Sequence, residues 1–112
     1  MDRTLEQITT DALAEITRRE VSLYAATSDT ATFYPVLDDE HQTYAVVVVE
    51  NTRSQSPSSW VFVMARVAGD KIIIEEDSTV EKHLVDALIH NGGIPRDHII
   101  LAYKGEAAPS VS

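Results

Sequence analysis

Hydrophobic positions along the chain change rhythm twice. From Thr4 to Leu23, Leu5, Ile8, Ala12, Leu13 and Ile16 recur at helical spacing, with Glu6, Asp11, Glu15 and Arg18 between them. Thr4-Leu5-Glu6-Gln7 has the form of a capping box, in which hydroxyl and amide satisfy the free N–H groups of a first turn. The spacing predicts an amphipathic helix, weakened slightly by the branched Thr9 and Thr10. Ser28-Asp29-Thr30 breaks the pattern, and a period of two follows. Thr32 to Leu37 is aromatic and branched, and its Pro35 marks an edge strand, since proline has no N–H for a second neighbour. Asp38-Asp39-Glu40-His41 is a polar turn. Tyr44 to Val49 is the plainest strand of the chain. Asn51 to Ser59 reads as a loop, Trp60 to Val67 as a third strand, Ala68-Gly69-Asp70 as a tight turn and Lys71 to Glu75 as a fourth strand. Four strands with short connections predict an antiparallel meander.

Helical spacing then returns. Asp77 or Ser78 is placed to cap a second helix, Ser78-Thr79-Val80-Glu81 repeats the capping-box form, and Val80, Leu84, Ala87 and Leu88 make its apolar stripe. Asn91-Gly92-Gly93 ends it, because glycine reaches the left-handed conformation of a helix terminus. Ile94 to His98 is a connection and Ile99 to Tyr103 a short last strand. Residues 104–112 are small and polar and read as a frayed tail. The expectation is one α+β domain over residues 1–112, with a core from about 4 to 103: helix, four-stranded meander, helix, short strand.

The strands carry an anomaly. Tyr44, Val46 and Val48 oppose Ala45, Val47 and Val49, and Trp60, Phe62 and Met64 oppose Val61, Val63 and Ala65, so both faces are apolar. A sheet wetted on one face alternates apolar with polar residues. Two helices cover one face of four strands comfortably. The other face then needs the tail or a second subunit, and self-association through it, as a dimer, is expected.

Charge narrows the partners. Against 9 Lys and Arg stand 18 Asp and Glu, a formal net charge of -9. Gripping nucleic acid takes a basic patch to neutralise phosphates, and the basic residues here are scattered, with Arg18–Arg19 the only adjacent pair. Direct DNA binding and anionic membrane surfaces are therefore disfavoured, and a basic protein surface is the natural partner. The chain has no cysteine, which removes disulfides, thiolate metal sites and a thiol nucleophile. The polar start Met1-Asp2-Arg3-Thr4 leads into no apolar export segment, so a cytoplasmic location is the default.

Candidate chemistry is thin. His83 and His90 lie two helical turns apart, with His98 close behind, but metal pairs on a helix prefer a spacing of four with a further ligand nearby. Adjacent acids such as Glu75-Glu76-Asp77 can share a cation, but alternation points the two glutamates apart and Asp77 has a capping task. Asp38-Asp39-Glu40 lacks the glycine of a calcium loop. Ser54, Ser56, Ser58 and Ser59 have no glycine-flanked elbow, and Gly92-Gly93 follows a helix where a phosphate cradle precedes one. No cofactor, metal or catalytic group is expected. Tyr44, Trp60, Phe62, Glu75, Glu76 and Asp77 are the candidate residues for an oligomer or partner interface: aromatics on a two-sided apolar sheet, and acids at the entry to the second helix.

Lys71-Ile72-Ile73-Ile74-Glu75-Glu76-Asp77-Ser78-Thr79 and Gly93-Ile94-Pro95-Arg96-Asp97-His98-Ile99-Ile100-Leu101-Ala102-Tyr103 resemble the XisI family, the fdxN-element excision controlling factors of cyanobacteria. Asp38, Glu40, His41 and Tyr44 resemble the family's turn and following strand. Ile73 stands where the family has Trp, Glu75 where it has Gln, and Val49-Glu50 where it tends to Gly-Trp. Its aromatic and basic tail is largely absent after Lys104. The resemblance implies a non-enzymatic accessory protein acting with a nuclease-like partner, XisH, in excising a DNA element during heterocyst differentiation. It carries no catalytic residue. Two other classes stay open: a small-molecule or metal-binding enzyme using the sheet face near Trp60 with His83 or His98, and a purely self-assembling structural domain.

Overall fold

The computed structural model of the chain describes residues 9–51 and 58–107. Thr9 is extended (φ -71°, ψ 157°), and its hydroxyl accepts a hydrogen bond from the Ala12 amide at 3.0 Å, which starts α1 (Thr10–Ser22). The capping box read at Thr4 to Gln7 lies outside the described residues. The two threonines expected to weaken the helix each serve it. Thr9 caps it, and the Thr10 hydroxyl donates to the Gly69 carbonyl at 2.7 Å, pinning the helix start to a distant turn.

Among the described residues, six strands form one sheet in sequence order: β1 (Ala26–Thr27), β2 (Ala31–Asp38), β3 (Thr43–Glu50), β4 (Ser59–Ala68), β5 (Lys71–Asp77) and β6 (Ile99–Leu101). The α+β class holds, and the expected meander is β2 to β5, antiparallel throughout. The four-strand description falls short at both ends. β1 adds two residues beside β2, too few to carry a periodic signal. β6 pairs with β5 in parallel, because the chain between them crosses back through α2 (Leu84–His90), and the sheet is mixed. The last strand is also shorter than its apolar run: after Leu101 the chain tightens into a 3-10 turn over Ala102–Lys104.

Two β-bulges reset which side chains share a face. The β3–β4 register passes from Val46↔Val63 to Val47↔Val61 and skips Phe62; the β4–β5 register passes from Met64↔Glu76 to Ala65↔Ile74 and skips Glu75. Both helices lie on one side. Leu13 and Val21 of α1 and Leu84 and Leu88 of α2 pack on Tyr44, Val46, Val63, Ala65, Ile72 and Ile74, with Ile94, Ile99 and Leu101 closing the end. Each such side chain, fully removed from water, contributes about 1.5–3 kcal/mol.

The second helix is shorter than predicted. It starts at Leu84, not at Ser78, and the capping box at Ser78-Thr79-Val80-Glu81 does not form. Thr79 and Val80 are branched at Cβ and resist helix. Residues 78–83 instead wind around the Asp77 carboxylate, and Val80, assigned to the apolar stripe, is 87% exposed. The C-terminus follows expectation. Gly93 is left-handed (φ 72°), and the Ile94 amide donates to the Leu88 carbonyl at 3.0 Å, which seats Ile94 in the core.

Candidate functional site

The junction of β5 and α2 concentrates polar groups. The Asp77 side chain is wholly inaccessible. One carboxylate oxygen accepts from the Thr79 amide at 2.9 Å and from the Thr79 hydroxyl; the other accepts from the Leu84 amide at 2.9 Å. His83 Nδ1 lies 2.9 Å from the Thr79 hydroxyl and 4.0 Å from Asp77. An aspartate, a threonine and a histidine in contact invite a nucleophile reading, but the proton runs the wrong way. A nucleophilic hydroxyl gives its proton to the imidazole. Here the single Thr79 proton goes to Asp77, so the hydroxyl meets His83 with a lone pair and the Nδ1 proton is assigned as the donor. The trio is a cap. Asp77 does cap α2 as expected, from seven residues before its first amide.

The other histidines go elsewhere. His98 Nδ1 meets the Asp70 carbonyl at 2.6 Å, at the far end of β5. Seven residues of strand span about 23 Å, so His83 and His98 stand at opposite ends of the domain. His90 is exposed, and His41 pairs with Asp38 at 2.8 Å. Among the described residues, no three His, Asp or Glu side chains converge on a point that would hold a metal.

The candidate interface residues separate into three environments. Tyr44 is 1% exposed, and its hydroxyl donates to Asp39 at 3.0 Å; burial first, then that bond, push its phenol up to about 12. Phe62 turns inward at the bulge and stacks edge-on with Phe33 (centroids 5.0 Å) and Tyr24 (6.2 Å). Neither presents a ring to a partner: both stand on the face the helices cover, and the bulge at Phe62 sends Met64, read as its face-mate, to the other side. Trp60 pairs with the buried Val48 on the helix side of the sheet, past the reach of the helices, and is 42% exposed. Of the acids, Glu75 is held by Arg66 at 2.6 Å, Glu76 accepts from the Ser78 hydroxyl at 3.1 Å, and Asp77 is buried. The exposed acids at this junction are Glu81 and Asp86.

Beside them lies a cleft of about 190 Å³ between α1 and α2, lined by Glu20, Leu23, Tyr24, Lys82, Ala87 and Asn91. Tyr24 crosses it and donates to the Lys82 carbonyl at 2.7 Å; its phenol is pushed up to about 12 by burial and then by Asp77, Glu20 and Asp86. Glu20 is 2% exposed and bonded to Arg19 at 3.1 Å. These groups clasp the helices together. Among the described residues, neither α1 nor α2 covers the opposite face of the sheet: Tyr34 and Val36 are each 51% exposed there, and Val61 38%.

The family model for the XisI protein matches residues 1–111. The chain belongs to the XisI family. No curated protein matches it by sequence. A XisI-like protein from Anabaena variabilis ATCC 29413 superposes with a TM-score of 0.71 at 18% identity, over 89% of each chain. The fdxN element excision controlling factor XisI from the same organism superposes at 0.59 and 24% identity, over 84% of this chain and 88% of that one. These likenesses show a XisI-like fold. The residues behind the family resemblance turn out to hold turns and caps. Asp38 accepts from the His41 amide and ring, Asp77 binds Thr79 and Leu84, and Gly93 makes the left-handed exit from α2. Among the described residues, no helix is long and apolar enough to cross a membrane.

Proposed function

We propose that this XisI-family chain is a non-enzymatic accessory protein that controls excision of a DNA element by acting on a XisH-like nuclease partner in the cytoplasm. The observation that carries the reading is the exposed segment before and along α2. Val80 is 87% exposed, with Glu81 and Asp86 exposed nearby. A bare aliphatic side chain among acids suits a protein surface that is basic around an apolar recess. It does not suit a phosphate backbone, which a chain of net charge -9 repels. Family membership and the likeness to an excision controlling factor support the biological setting. Acidic residues would steer the partner, and Val80 would seat in it. Binding would mask or direct the nuclease's DNA-contacting face.

The test is co-purification of the chain with a XisH-like protein at moderate salt. A complex that weakens as salt rises, and that Val80→Asp or the pair Glu81→Lys and Asp86→Lys abolishes, is the expected result. No complex at any salt, with both proteins folded, overturns it.

A further inference from the structure

We infer that the open face of the sheet is the interface of a two-fold homodimer in which β3 of one copy lies along β3 of the other. The inference is independent of the nuclease partner proposed above. On this face the strand register makes two central rows, Tyr34–Val47–Val61 and Val36–Ala45–Met64. Neither row carries a charged side chain on β2, β3 or β4; the second row continues from Met64 to Glu76 on β5, at the edge of the patch. Arg66 and Glu75 stand at the margin, already neutralising each other at 2.6 Å.

Charge and shape select the occupant. Two copies each carrying a net charge of -9 repel wherever acid meets acid, and these rows are a place where they can touch without that. A basic partner gains little from rows whose only acid, Glu76, stands at the edge. The chain's own residues 108–112 bring one large apolar side chain, Val111, too little to cover both rows. The rows are also self-complementary. With the two-fold axis along β3, β2 lies over the partner's β4, as a closed isologous interface requires. Tyr34 then meets the partner's Val61, Val36 meets the partner's Met64, and the smaller Ala45 and Val47 occupy the centre, where the two backbones come nearest. Each contact occurs twice. The rim places Arg66 and Glu75 where the sheets diverge through their twist.

The area suits reversible pairing. Strand spacing and rise make the open apolar face of β2 to β4 about 14 by 20 Å, roughly 280 Å² per copy; toward β5 it passes into Arg66, Glu75 and Glu76, and Ile73 is already covered. Two such faces bury roughly 600 Å², below a stable interface, so a weak dimer that forms only toward the upper micromolar range is expected.

Sedimentation over the micromolar range should show the mass climbing from 12.4 kDa toward twice that value. Val61→Glu and, separately, Tyr34→Lys should raise the concentration needed for dimer by about tenfold or more, with the circular dichroism unchanged. The absence of cysteine offers a second readout. Val47→Cys, on the axis, should be joined to its partner copy by a short bis-maleimide, while Leu23→Cys on the helix side should not. A chain that stays monomeric throughout, a dimer indifferent to both charged substitutions, or equal cross-linking at residues 23 and 47 overturns the inference. So does a monomer whose Val61→Glu form loses a XisH-like protein, which would assign the face to that partner.

Discussion

Asp77 sets the entry to α2 with a side chain that is wholly inaccessible, by taking up two amides and a hydroxyl. Asp77→Ala strands those donors in a dry site, and a loss of about 1–3 kcal/mol is expected in urea denaturation. Asp77→Asn, which keeps an acceptor, should lose less. That an aspartate caps here is legible in the sequence, since it ends a strand before an apolar stripe. That it reaches Leu84 is not, because propensity describes neighbours within a turn and this bond closes over seven residues. Tyr24 and Tyr44 support a second prediction. Both phenols are raised in the folded chain to about 12, chiefly by burial. A raised folded value means the contribution is complete below the ordinary tyrosine range near 10 and is lost as pH rises toward 12. Ultraviolet titration should show a late tyrosinate step that Tyr24→Phe and Tyr44→Phe each reduce, and stability should fall over that same window. Tyr44 also shows how a residue legible as a strand member was misread as surface: alternation says it shares a face with Val46 and Val48, and only the placement of α1 decides that this face is the inner one.

At the scale of elements, the contact between α1 and α2 leaves no room at Gly92. A methyl added there would stand 2.6 Å from the Leu88 carbonyl oxygen and 2.7 Å from Ile16 Cγ2. Gly92→Ala should force the helices apart and lower stability by about 1–3 kcal/mol, readable as a drop in melting temperature. Beyond the last strand, the Glu106 carboxylate accepts from the Leu101 amide at 2.7 Å and from Arg96 at 3.0 Å, so the tail is fixed at its start where fraying was expected. These bonds, the Leu101 amide first, hold the Glu106 carboxyl below its ordinary value. The group's support of the β6 edge is therefore present above the carboxylate range and is lost as pH falls through the lowered value. Hydrogen exchange at Leu101 should be faster in Glu106→Ala than in the parent chain at neutral pH, and the difference should close in acid. Strands β2 to β5 were readable because each is long, branched and bounded by turn residues. The bulges at Phe62 and Glu75 were not, since an extra residue leaves no mark where the run is apolar on both faces, as at Phe62, or polar on both, as at Glu75-Glu76-Asp77.

For the whole molecule, the excess of acid and the two-sided apolar sheet are facts of the sequence, and they exclude more than they specify. They argue against phosphate-bearing partners and leave a second apolar face on the sheet. Residues 78–83 wrap the Asp77 side chain and Arg66 neutralises Glu75, which leaves Val80, Glu81 and Asp86 exposed as the surface proposed above for a basic protein. If that reading holds, a complex with a XisH-like protein should persist in Val61→Glu, because the acidic segment and the open face are separate surfaces. The two are told apart by measuring mass and co-purification on the same variant. Composition and periodicity by themselves determined the class of fold, the order of its principal elements and the kind of partner the charge permits, because those depend on local spacing and on sums. Which face is inner, where α2 begins, how β6 pairs and which acids remain free were decided only in the tertiary structure, because each depends on contacts between residues far apart in the chain.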